Sequence, residues 1–250
     1  MARLRLLLRS ARLLGLVALG LGLAAWVSLR EGLPGADVTP LRQRLTRWWL
    51  ARLCAALPFE VRVSGEAPRQ PMLWVANHVS WTDIPLLGAL APLTFLSKAE
   101  VRAWPLAGWL AEKAGTLFIR RGSGDSRLIN QRLAEQLHRG RNLLIFPEGT
   151  RIPVGQMGKF SRGGTALAVN AGLPVLPIAH NAGQYWPKAG WAKYPGTIQV
   201  VIGPAMHAEG EGPRAIAELN QRAEAWVSET MAEISPIQQR VSHPEPSVVS

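Results

Sequence analysis

Met72-Leu73-Trp74-Val75-Ala76-Asn77-His78-Val79-Ser80-Trp81-Thr82-Asp83 changes character halfway along. Met72 to Ala76 is a short apolar run of the kind that forms a buried strand. Pro85 follows shortly after, and proline is tolerated in the first turn of a helix, so a helix is predicted to begin near Asp83. Strand, loop and helix in that order make one β–α step, with His78 left in the loop.

The same step recurs along the chain. Phe59–Val63, Leu93–Ser97, Thr116–Ile119, Leu143–Phe146, Val175–Ala179 and Ile198–Ile202 are further short apolar runs. Between them Ser126–His138 carries Leu128, Ile129, Leu133 and Leu137 close to helical spacing, with Gly140 as the stop. Arg162–Asn170 precedes Gly172 and a strand in the same manner. A longer helix is predicted from Arg214 to Glu233, with Ile216, Leu219, Ala223, Trp226 and Val227 on one stripe. This alternation predicts an α/β fold, a mostly parallel sheet covered by helices. Ligands of such sheets gather beyond the carboxyl ends of the strands. No internal repeat interrupts the pattern.

The N-terminal part is different. Arg3, Arg5, Arg9 and Arg12 precede an uncharged, mainly apolar run from Leu13 to Leu29, at the short limit for a membrane span. Arg30, Arg42, Arg44 and Arg47 follow, so positive charge flanks both sides and gives no clean orientation. Gly22-Leu23-Ala24 is a small-x-small pattern, which leaves a cleaved signal peptide as the rival reading. Leu41–Leu57 mixes four arginines with Leu, Trp48 and Trp49, which reads as an interfacial amphipathic helix, with an ordinary surface helix of a soluble domain as the alternative. Joined near Pro34-Gly35, the two segments form a membrane-docking helical hairpin. The expected organisation is 1–57 membrane-associated helices, 58–235 a single domain, and 236–250 a disordered Ser/Pro/Gln-rich tail.

Composition narrows the partners. Lys and Arg total 28 against 17 Asp and Glu, a formal charge of +11 over 250 residues, which favours anionic partners without choosing among them. Ten Trp residues and 48% apolar content point to a membrane surface over nucleic acid. Cys54 stands alone, so neither a disulfide framework nor a cysteine metal cluster forms within one chain. His180 and His207 lack metal-ligand companions and read as strand-end or loop residues. Trp186, Trp191 and Tyr194, set among Lys188 and Lys193, either contact a membrane or cover the sheet.

Two segments carry chemistry. On a regular helix His78 and Asp83 would lie about 140° apart, so they pair only if the chain turns between them. Turned back, Asp83 fixes the imidazole tautomer and stabilises the imidazolium formed when His78 takes a proton. Alternatively, Asp83 caps the helix and His78 is a loop residue. The second segment is Phe146-Pro147-Glu148-Gly149-Thr150-Arg151, whose Pro-Glu-Gly turn exposes backbone N–H groups and whose arginine offers a bidentate fork. Arg120 and Arg121 end another strand. Lys98 and Lys159 lie near comparable ends, with solvated surface charge as the simpler reading.

In the order Asn77-His78 to Asp83, Gly115 to Arg120, Phe146 to Arg151 and Leu173-Pro174-Val175-Leu176-Pro177-Ile178, these blocks resemble the glycerolipid acyltransferases, specifically the bacterial 1-acylglycerol-3-phosphate acyltransferases. The resemblance covers about residues 58 to 205. It implies acyl transfer from a thioester of acyl carrier protein or coenzyme A to a lysophosphatidic acid hydroxyl, giving phosphatidic acid at the cytoplasmic face of the inner membrane. His78 is then the general base, held by Asp83. Arg120 and Arg151 hold the acceptor phosphate; Glu148, Gly149 and Thr150 belong to the acceptor block, with Glu148 organising the arginines. No cofactor or metal, no covalent acyl-enzyme and no nucleic-acid partner is expected. A lyso-ornithine lipid acceptor is the alternative on the same frame. A non-catalytic binder relying on charge would instead be indifferent to His78 and weaken with salt.

Overall fold

A computed structural model describes residues 2–35, 37–66, 69–119, 126–188 and 193–235. Arg120, Arg121, Trp191 and the tail from 236 lie outside the described residues. The chain opens with two helices, α1 (Ala2–Glu31) and α2 (Thr39–Ala55). Then come β1 (Phe59–Ser64), β2 (Leu73–Ala76), α3 (Asp83–Leu90), β3 (Leu93–Lys98), α4 (Ala99–Arg102), α5 (Ala107–Lys113) and β4 (Leu117–Ile119). The second half runs α6 (Ser126–His138), β5 (Asn142–Ile145), α7 (Arg162–Asn170), β6 (Val175–His180), β7 (Gly196–Ile202) and α8 (Gly212–Ile234). All seven predicted strands are present, and α3 begins at Asp83. The short helices α4 and α5 carry no sequence expectation.

The strands form one sheet in the order β1-β7-β6-β2-β5-β3-β4. β6, β2, β5, β3 and β4 are mutually parallel; β7 runs antiparallel to β6 and carries β1 parallel to itself at the edge. The chain leaves β2 for β3, returns to place β5 beside β2, and then crosses to β6 on β2's other side. That reversal makes the carboxyl end of β2 a topological switch point, the usual ligand position in such sheets.

Side chains alternate across the sheet. Trp74, Leu144, Leu176 and Ile178 face one layer of core with Leu86 and Leu87 of α3. Leu73, Val75, Leu143, Ile145 and Val175 face the other with Leu133, Leu137, Leu219 and Val227 of α6 and α8. Every residue of β2 and β6 is buried, as expected for central strands covered on both faces. Trp186 packs against the first layer while Tyr194 is exposed, so the aromatic loop covers the sheet with Trp186 and turns Tyr194 outward.

α2 also belongs to this core. Leu50 and Cys54 pack into the α3 layer, and Arg47 Nε donates to the Ala89 carbonyl at 3.1 Å. A boundary at residue 57 therefore runs through a shared core, not between independent units. α1 lies against α2, with Trp49 Nε1 donating to the Leu16 carbonyl at 2.7 Å. Gly20 makes room for that indole, since a Cβ there would lie 2.6 Å from the ring. Among the described residues, Leu8–Glu31 is long and apolar enough to cross a bilayer. At 24 residues it is about 36 Å long, against a hydrocarbon core of about 30 Å. It exceeds the uncharged run Leu13–Leu29 because Arg9 and Arg12 continue the helix and can extend their charges toward an interface.

Candidate active site

The β2–α3 loop is wrapped around one carboxylate oxygen. Asp83 Oδ2 accepts the Val79 N–H at 2.8 Å and the Ser80 N–H at 3.0 Å, and lies 2.7 Å from His78 Nδ1. Residues five apart thus meet because the chain turns between them, as the spacing required. Asp83 is the first residue of α3 and Thr82 precedes it as cap, so the carboxylate serves the loop instead of capping the helix. Asp83 is fully buried, whereas the His78 side chain keeps 21% of its surface. With Nδ1 committed to Asp83, Nε2 is the nitrogen left to exchange a proton.

The β5 loop fixes His78 from the other side. Its main-chain N–H donates to Glu148 Oε2 at 2.6 Å, and its carbonyl accepts the Ile152 N–H at 2.7 Å. The imidazole stacks on Phe146, centroids 4.1 Å apart and planes 17° from parallel. Glu148 Oε1 takes the Gly158 N–H at 3.1 Å. Both oxygens accept main-chain N–H groups, so Glu148 organises the backbone of His78. Burial pushes its carboxyl up to about 7; the two N–H bonds work against that rise, and the charges of Asp83 and Glu224 add to it.

The turn at Phe146–Gly149 is closed by the Gly149 N–H on the Phe146 carbonyl at 2.9 Å, with Gly149 at φ +69°, where a side chain would strain the backbone. That N–H is used within the turn itself. Thr150 is exposed. Arg151 is partly buried, its guanidinium 4.2 Å over the Trp81 ring and its Nη1 buried without a hydrogen-bond partner among the described residues. It precedes Ile152, so it stands beside the strand-like contact with His78. Trp81 in turn leans on Trp104, centroids 5.3 Å apart.

Arg120 follows β4, whose carboxyl end points the same way as that of β2, but the residue itself lies outside the described set. Lys98 and Lys159 are exposed, in keeping with solvated charge. Burial pushes the Cys54 thiol up to about 11 in α2, which suits packing and not nucleophilic attack. Among the described residues, no group of three or more His, Cys, Asp or Glu could hold a metal.

Sequence reasoning passed over His180. It is fully buried at the end of β6, with Nε2 3.8 Å from the second oxygen of Asp83. Asn77 clamps its main chain, donating from Nδ2 to the His180 carbonyl at 2.9 Å and accepting its N–H on Oδ1 at 3.0 Å. The available signal was a mirrored pair of strand ends, Ala76-Asn77-His78 and Ala179-His180-Asn181.

The family model described as Acyltransferase matches residues 59–181. The chain is 88% identical over 179 residues to a lyso-ornithine lipid O-acyltransferase of Pseudomonas aeruginosa, covering 72% of this chain and 69% of the relative. It is 62% identical over 229 residues to a 1-acyl-sn-glycerol-3-phosphate acyltransferase of the same organism, covering 86% and 88%. The crystal structure of a 1-acyl-sn-glycerophosphate acyltransferase from Thermotoga maritima superposes with TM-score 0.74 over 94% of this chain and 99% of that one; at 24% identity this is a likeness of fold.

Proposed function

The chain belongs to the acyltransferase family, and on that premise we propose that it esterifies the free hydroxyl of a lysolipid whose head group carries a carboxylate or a phosphate, lyso-ornithine lipid foremost. The observation that carries the reading is the 2.7 Å pairing of His78 Nδ1 with a buried carboxylate, near an arginine that has a nitrogen without a partner among the described residues. His78 Nε2 takes the hydroxyl proton as the oxygen attacks the thioester carbonyl. The C–S bond breaks as the C–O ester bond forms, and the proton passes to the leaving thiolate. Asp83 balances the charge on the imidazolium between those events. No acyl group rests on the protein, and the thioester, on acyl carrier protein or coenzyme A, enters as cosubstrate with no further cofactor.

Arg151 suits either a carboxylate or a phosphate, because both accept a guanidinium fork. The 88% relative favours the ornithine head group. The 62% relative, which aligns over more of this chain, supports lysophosphatidate as the second reading, with phosphatidic acid as product. In both, α1 anchors the enzyme and the site faces the cytoplasm, where thioesters are made. Protease accessibility of the domain in intact versus opened cells tests that orientation, and cleavage in intact cells refutes it.

The deciding experiment is acyl transfer by detergent-solubilised protein from labelled acyl-coenzyme A and acyl carrier protein, offered lyso-ornithine lipid, lysophosphatidate and lysophosphatidylglycerol. Acylation of lyso-ornithine lipid, lost in His78→Ala, supports the first reading; phosphatidate alone supports the second. Turnover retained in His78→Ala overturns both.

A further inference from the structure

Two buried polar groups face each other beside the proposed base. Among the described residues, Asp83 Oδ1 is buried without a hydrogen-bond partner, and so are both ring nitrogens of His180. Leaving such groups unpaired is costly, and those that persist call for an explanation. They are each other's nearest remedy, with Nε2 and Oδ1 3.8 Å apart. That exceeds hydrogen-bond length by about 1 Å, a gap that a small rotation closes.

We propose that His180 is a positioning residue for this reaction: its Nε2–H addresses the free oxygen of Asp83 and holds the carboxylate in line with His78 while the imidazolium exists. Asp83 Oδ2 already carries three donors from its own loop, so Oδ1 is the oxygen left free to swing. A donor there removes that freedom. Burial lowers the proton affinity of His180 against the opposing pull of Asp83, so the ring enters as a neutral donor. Its placement is built into the fold. Asn77, immediately before His78, grips the His180 backbone at both polar atoms, and Asn181 Nδ2 ties the next residue to the Ile234 carbonyl at 2.8 Å. The ionisable groups acting on His180 are Asp83 from α3 and His78 from its loop.

The inference rests on the reading of His78 as base, and the test separates the two. In a glutamine the amide nitrogen falls near the Nε2 position; in an asparagine it falls near Nδ1, out of reach of Asp83. His180→Gln, His180→Asn and His180→Met are assayed with acyl-coenzyme A and with lyso-ornithine lipid and lysophosphatidate in parallel, beside His78→Ala. Expected is kcat within about threefold of wild type for Gln. Asn and Met should lose about 10-fold or more, with both KM values little changed. The contrast of Gln with Asn decides even if the Met variant does not fold. Gln as poor as Asn, all variants equal to wild type, or a loss carried by KM overturns the inference. An active His78→Ala overturns instead the general-base reading beneath it.

Discussion

Glu148 and His78, 70 residues apart, meet through side chain and main chain: the carboxylate accepts the His78 N–H at 2.6 Å. The most recognisable acid of the second block thus acts on the backbone of the first. Its proton balance is coupled to folding. The folded carboxyl titrates at about 7 against 4.5 as its ordinary value, so between those pH values the folded state binds more protons than the unfolded one. Stability from this group is present below about pH 4.5 and is lost as pH rises through 7. Glu148→Gln removes the titration. Melting temperature between pH 5 and 8 should fall less steeply in the variant than in wild type, and parallel slopes would refute the assignment.

Asp83→Asn preserves the shape of the loop but removes the charge opposite His78. We expect kcat to fall by roughly 10²- to 10⁴-fold with acceptor KM almost unchanged, because the loss is felt when the imidazolium forms. Steady-state kinetics on a folded variant, checked by circular dichroism, measure it.

Arg151 combines a stacked guanidinium with a nitrogen that has no hydrogen-bond partner among the described residues. Arg151→Ala should raise the acceptor KM by about 10- to 100-fold and leave the donor KM alone. Arg151→Lys should rescue little, since an ammonium neither forks nor stacks in the same way. A donor-side effect would place the arginine elsewhere in the reaction.

Gly20→Ala tests the hairpin. The added Cβ would lie 2.6 Å from the Trp49 ring, so one helix must shift and the indole bond to Leu16 must stretch. Overpacking of this kind costs about 1–3 kcal/mol, read as a lower melting temperature in detergent. Trp49→Phe in the same background should recover part of the loss.

Much of this was legible because the relevant signals are local. Apolar runs bounded by turns marked the strands, and Pro85 marked the start of α3 and with it the fold-back of His78 onto Asp83. α4 and α5 escaped because each spans about two turns or fewer around Trp104-Pro105, too short for helical periodicity to register. The partners of Glu148 and His180 escaped for another reason. Asn77 reaches His180 across 103 residues, and only the order of strands in the sheet brings such positions together. The turn at Pro147-Glu148-Gly149 was legible from its residues, but that the Gly149 N–H closes it on Phe146 was not.

Leu50 and Cys54 of α2 lie in the layer that backs α3, and α3 begins with the carboxylate that orients His78. The hairpin and the β2–α3 turn are therefore two faces of one solid body. Trimming the chain at residue 57 to gain solubility would wet Leu86 and Leu87 and unseat the helix on which Asp83 stands. A shortened chain would thus lack part of the core that seats Asp83.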